Sequence, residues 1–253
     1  MENLGEMVAE LLHELAPTYI TESKLLTNYM FFLIGSILLT AIFFVIVRAK
    51  VALVPKGIGN LGEMGVEFVK NNIVVDVMGD EGIKYLPFVV TIFFAVLFNN
   101  FVGLVPGMKP GTGTLGTTLT WGIIVFVVYN AIGFQKNGFF GYLKSFLPSG
   151  TPLFLAPFIY LLEVISHFLR PFTLGVRLYA NMYAGHIVLG VFAIFVDIAI
   201  HNLTAVSAVV GTLSWGMQII MYAFEVFVAF IQAYVFAILT AVYISGALHA
   251  KEH

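Results

Sequence analysis

Apolar positions along this chain fall into long runs, not short alternations. Residues 2 to 15 carry Glu2, Glu6, Glu10 and Glu14 at spacing four, with Leu4, Val8, Leu11 and Leu15 set apart from them. That pattern predicts a short amphipathic helix, ended by Pro17. From Leu25 to Val47 no charge occurs for 23 residues, enough to cross a hydrocarbon core of about 30 Å, and Arg48 and Lys50 close the run. Between 57 and 84, Glu63, Glu67, Lys70, Asp76, Asp80, Glu81 and Lys84 interleave with Ile58, Leu61, Met64 and Phe68. This fits a helix lying on the membrane surface. Tyr85 to Met108 is uncharged again, and a third span runs from about Thr117 to Phe134, ending near Lys136.

The turn between the second and third spans, Gly111-Thr112-Gly113-Thr114-Leu115-Gly116, has the spacing of a dinucleotide-binding G-x-G-x-x-G. It joins two apolar spans where that motif needs a strand and a helix, so a tight turn with close helix packing is expected. A loop follows from Phe139 to Gly150, and then two apolar stretches, roughly 152–200 and 203–249. As one helix, each would reach about 67 Å, more than twice the core thickness. Each is therefore two short spans or one long, strongly tilted helix. Pro171 and Gly175 offer a break within the first stretch, yet only Asp197 to Asn202 reads as a turn. The glycosylation sequon at Asn202-Leu203-Thr204 is read as coincidence.

Composition settles the solvent. The chain of 253 residues is 60% hydrophobic and 10% charged, with a mean hydropathy of +0.97, whereas soluble domains average about 25% charged. It is an integral membrane protein. Without cysteine there is no disulfide, thiolate metal site or cysteine nucleophile, and the acidic N-terminus does not resemble a cleavable signal peptide. With the N-terminus outside, Arg48, Lys50, Lys56, Lys70, Lys84, Lys136, Lys144 and Lys251 fall on the inner side, against Lys24 and Lys109 opposite. That requires an odd number of crossings, which favours one net crossing for each long stretch. The fold class expected is an all-α integral membrane protein: an N-terminal transmembrane helix, an amphipathic surface helix, a transmembrane hairpin, then two long strongly tilted membrane helices. The segments are an outer arm (1–24), the first span and inner surface helix (25–84), the hairpin and inner loop (85–151), and the helix pair (152–253).

Charges inside the membrane carry the chemistry, since each costs about 2.5–3.5 kcal/mol at a helix centre on insertion scales. Glu163, His167, Arg170, Leu174, Arg177 and Asn181 follow one helical template and read as a single polar face that meets water or a partner. An internal salt bridge is the plainer account of Glu163 and Arg170. It suits Arg177 less, because no acidic residue lies within one turn of it. His186 comes nine residues later, about 180° around the helix. Gln218, Glu225 and Gln232 form a second stripe at spacing seven. Glu225 with a titrating histidine would make a proton relay, and contact between Glu225 and His186 stays open. Glu163 and His167 at i,i+4 lack a third metal ligand, so no metal and no cofactor is expected. No nucleophile with a positioned base suggests an intramembrane enzyme. A self-contained ion-coupled secondary transporter, the alternative reading, would show two related halves, and no internal repeat is found.

These residues resemble the a subunit of rotary F-type ATP synthases. The resemblance is carried by Arg170-Pro171-x-x-Leu174-x-x-Arg177-Leu178-x-x-Asn181-x-x-Ala184-Gly185-His186. Asn100-x-x-Gly103-Leu104-x-Pro106-Gly107 and Gln232-Ala233-Tyr234-Val235-Phe236-x-x-Leu239-Thr240-x-x-Tyr243 reinforce it, and together they cover residue 85 to the end. The resemblance implies a non-catalytic stator subunit in which Arg177 is the essential arginine facing the carboxylates of a rotating c-subunit ring. It implies two aqueous half-channels for a transported proton, with Glu163, Asn181, His186, Glu225, Gln232, Gln218, Asn100, His167 and Arg170 along the path. It also implies b subunits of a peripheral stalk as neighbours, no nucleic-acid partner, and two tilted helices packed along the ring. The membrane implied is a bacterial cytoplasmic membrane or an energy-coupling organelle membrane. Three departures stand out. His186 then Glu225 exchanges the order of acid and histidine found in some members, Arg170 stands where many have lysine, and Ala180 precedes Asn181 where glycine is frequent.

Overall fold

The computed structural model describes residues 2–20, 26–50, 56–147, 152, 154–201 and 204–250. Lys24, Lys251 and Asn202 of the sequon lie outside the described residues. Every element is helical; the one strand-like feature among the described residues is an isolated bridge between Tyr19 and Thr27. Helix α1 is Glu2–Glu14, α2 Asn28–Ala49 and α3 Ile58–Val69. Helix α3 continues through a π turn (Lys70–Val75) to Asp76–Met78. Gly79, at φ 62°, then turns the chain into a 3-10 stretch, Asp80–Tyr85, that leads into α4, Leu86–Leu104. After a 3-10 turn at Gly111–Gly113 come α5 (Leu115–Asn137), the short α6 (Phe139–Lys144), α7 (Ala156–His201) and α8 (Ala205–Leu248). Among the described residues five stretches are long and apolar enough to cross a membrane: α2, Asp80–Leu104, α5, α7 and α8.

Each long stretch is one helix, as the crossing count favoured. Helix α7 has 46 residues and α8 has 44, so each is about 66–69 Å long. Proline at 171 does not break α7. It removes the donor that would reach the His167 carbonyl, and the Tyr129 hydroxyl of α5 approaches that carbonyl at 3.5 Å instead. Glycines let α5 come that close. A Cβ on Gly122 would lie 2.3 Å from the Pro171 oxygen, and one on Gly175 would lie 2.9 Å from the Leu119 Cα.

Small residues set the other contacts too. In α3 the glycines Gly62 and Gly65 press against Val47 of α2 and Phe94 of α4, where an added Cβ would come within 2.4 and 2.5 Å. The apolar row Ile58, Leu61 and Met64 consequently faces outward. The 3-10 turn is wedged equally tightly, Gly111 against Leu33 and Gly113 against Tyr29, as its glycines led us to expect. Helix α4 lies at the centre. Val89, Phe93 and Val96 join Val69 and Ile73 behind α3, Tyr129 of α5, and Phe236 and Ile244 of α8 in one core.

Candidate functional site

Helices α7 and α8 run antiparallel, and two glycines fix their register. A Cβ on Gly211 would meet Ala199, and a Cβ on Gly185 would lie 2.0 Å from Glu225 Oε1. Both contacts belong to one register, which puts Gln232 across from Leu178 and next to the level of Arg177. Arg177 itself is exposed on α7 and forms no ion pair or hydrogen bond among the described residues. Its exposed neighbours along the helix are small: Thr173, Ala180 and Ala184. The buried side of the same helix is Leu174, Leu178 and Met182.

One expectation needs correcting here. The six template positions from Glu163 to Asn181 fall within an arc of about 80°, but the edge of the buried side cuts through it, so Leu174 is buried and Arg177 exposed. The apolar side chains at 174, 178 and 182 take the inside, and His167 goes with them. It is 3% exposed, and its Nε2 pairs with Asn130 Oδ1 at 2.9 Å. Phe126, Tyr129 and Phe146 surround its ring. Glu163 and Arg170 instead bond to each other at 2.8 Å along the helix, with the Arg170 guanidinium over the Tyr243 ring. The salt bridge seen as the plainer account of this pair is present, within one helix.

His186 and Glu225 do meet. Nδ1 lies 3.6 Å from Oε1, and the carboxylate is 6% exposed with no hydrogen bond to Oε1. The two ring nitrogens lie 3.0 Å from the Met182 carbonyl (Nδ1) and 3.1 Å from the Gly103 carbonyl (Nε2). A neutral ring donates to only one of these acceptors, while a doubly protonated ring satisfies both and faces the carboxylate. Gly185 is what lets a carboxylate sit here. On one side of the pair a cavity of about 200 Å³ is lined by Asn181, Gly185, Met221 and Glu225. On the other a cavity of about 270 Å³ is lined by His186, Gln218, Tyr222 and the turn from Gly103 to Lys109. The pair therefore stands between two cavities.

Asn100 is fully buried, accepts from the Thr112 hydroxyl and donates to the Ala229 carbonyl. It straps α4 to the turn and to α8. Its neighbour Asn99, not singled out from the sequence, accepts from Ser36 and from the Gly111 amide. Gly185, Gly103 and Tyr222 were also missed as parts of the site. Two of them lay within quoted motifs, but their function depends on cross-helix register, which one sequence does not display. Gln232 is buried, while Gln218 is partly exposed.

The described residues hold no cluster of three His, Asp or Glu side chains suited to a metal. With this geometry in view, the comparisons are specific. The profile of the family described as ATP synthase A chain matches residues 28–245. The chain belongs to that family. Proteins named ATP synthase subunit a are similar over most of the chain. The one from Acidiphilium cryptum is 40% identical over 217 residues, 86% of this chain and 85% of the relative. That of Hyphomonas neptunium is 40% identical over 227 residues, 90% and 88% of the two chains, and that of Rhodopseudomonas palustris 42% over 198, 78% of each. As a subunit a, the chain is a multi-pass component of the membrane sector of ATP synthase and has no active site of its own.

Proposed function

We propose that this subunit a is the stator half of a rotary proton path, in which Arg177 couples proton flow to rotation of a c-subunit ring. The observation that carries the reading is the position of Arg177: a guanidinium exposed at mid-helix with no counter-charge among the described residues. It stands between the Glu163–Arg170 pair and the His186–Glu225 pair. Glu163 and His186 are about 35 Å apart along the tilted helix, with Arg177 between them, so each pair suits a different aqueous half-channel. Gln218, Gln232, Asn181 and Asn100 border the outer path, while His167 and Glu163 belong to the inner one.

The chemistry follows from charge. A deprotonated carboxylate is forbidden in lipid, but it becomes tolerable beside a fixed guanidinium. A guanidinium does not lose its own proton in proteins, so Arg177 passes no proton and prevents a leak between half-channels. A ring carboxylate releases its proton to one channel, passes Arg177 ionised and reloads from the other. Each charge crossing 100 mV supplies about 2.3 kcal/mol. The ring occupies the small-residue face of α7 around Arg177, and b subunits of the peripheral stalk hold the assembly against torque. The N-terminus faces outward and the C-terminus the cytoplasm, in a bacterial or organelle energy-coupling membrane. Arg177→Ala in the assembled enzyme should abolish ATP-driven proton pumping into inverted vesicles while the subunit still copurifies with the ring. Pumping at the wild-type rate in that variant sinks the proposal.

A further inference from the structure

The N-terminal helix reads from its sequence as a solvated or interfacial arm, yet it is seated on the membrane helices. Leu11 of α1 lies directly over Gly190 of α7, where an added Cβ would come within 2.5 Å of a Leu11 methyl. The C-terminal end of α1 is held twice. The Tyr29 hydroxyl of α2 donates to the Leu15 carbonyl at 2.6 Å, and the Lys109 ammonium donates to the Glu14 carbonyl. Cationic donors suit that end of a helix, where carbonyls are unpaired and the dipole is negative. Beyond α1 the chain is tied back to the start of α2, with Asn28 donating to the Thr18 carbonyl at 2.9 Å. An arm that merely floats on the surface makes none of these attachments.

What α1 covers is the cavity that ends on His186. Leu11, Glu14 and Leu15 form one part of its wall, and the turn from Gly103 to Lys109 forms another. Among the residues lining it, the ionisable side chains are Glu14, Lys109, His186 and Tyr222, so Glu14 is its one carboxylate. Glu225 lies behind His186, outside this lining. Glu14 is exposed, whereas His186 is partly buried, so an outer acid and an inner base share one cavity. A carboxylate at the mouth of a low-dielectric cleft concentrates cations, and one that takes up and releases a proton also hands it inward.

We propose that α1 is a wall of the proton inlet, seated by Leu11 on Gly190, and that Glu14 is the carboxylate through which protons enter the cavity above His186. This rests on the half-channel reading above. The test uses the assembled synthase in right-side-out and inverted vesicles. Because the chain has no cysteine, Leu189→Cys introduces a single thiol into the subunit at a cavity-lining position. A membrane-impermeant cationic thiosulfonate, with labelling read on the separated subunit, should modify L189C from the outer side. Adding Leu11→Asp, which unseats α1, should raise that rate severalfold. Separately, Glu14→Gln should lower proton flux roughly threefold at limiting outer proton concentration, as expected for one solvent-screened carboxylate, and Glu14→Asp should restore it. Labelling that Leu11→Asp leaves unchanged overturns the wall while the half-channel stands. Wild-type flux in Glu14→Gln overturns the entry carboxylate. An L189C thiol unlabelled from outside in both backgrounds overturns the inlet itself along with α1.

Discussion

A single missing methyl group decides where the Glu225 carboxylate sits. The Glu225 carboxylate occupies the space that any side chain at 185 would fill, so Gly185 and Glu225 act as one unit. Gly185→Ala should push the carboxylate away from His186, with an overpacking cost of about 1–3 kcal/mol. Proton flux should fall, and Glu225→Asp in the same chain should recover part of it, because the shorter side chain withdraws from the added methyl. A double-mutant cycle on flux and on copurification with the ring measures this coupling. Full flux in Gly185→Ala alone would remove Gly185 from the site. This detail was not visible beforehand. The sequence shows a glycine beside a histidine and an acid forty residues later, but nothing in it says that helix register brings them together.

Elements were more readable than contacts. Long apolar runs marked every span, and the ends shifted only by a few residues, Leu25–Val47 becoming Asn28–Ala49. In the long stretches proline and glycine look like breaks when neighbours are unknown, and the crossing count alone argued for unbroken helices. In place, Tyr129 approaches the carbonyl that Pro171 leaves open, and Gly122 and Gly175 are contact points with α5. The polar face failed for a related reason: the template counted Leu174 among its positions, whereas the burial of Leu174 together with Leu178 and Met182 sets the rotation of α7. Such a helix depends on close backbone approach. Gly175→Leu should force α5 and α7 apart, lower the thermal midpoint of the detergent-solubilised chain and abolish copurification with the ring. Retained midpoint and assembly would show that the 2.9 Å approach at Gly175 is not needed.

At the scale of the whole molecule the two ends differ in kind. One end gathers Lys136 bonded to Glu81 at 2.7 Å, Asn137 bonded to the Ala247 carbonyl, and Ser245 bonded to the Val77 carbonyl. Lys84 and Lys144 follow elements at that same end, since Lys84 precedes α4 and Lys144 closes α6 just beyond α5. The other end holds α1, Lys109 and the cavity leading to His186. Lysines therefore crowd the end away from the His186 cavity, the asymmetry on which the proposed cytoplasmic orientation of that end rests. Three membrane-length stretches, α2, Asp80–Leu104 and α5, separate Tyr19 from Gln135, so these two exposed residues belong on opposite sides. In a chain without cysteine, Tyr19→Cys and Gln135→Cys turn this into a direct measurement. An impermeant thiol reagent should label Y19C only in right-side-out vesicles and Q135C only in inverted ones. Labelling from one common side would remove a crossing between them. The reverse assignment would turn the molecule over and place the His186 cavity on the cytoplasmic side, exchanging inlet and outlet of the proton path.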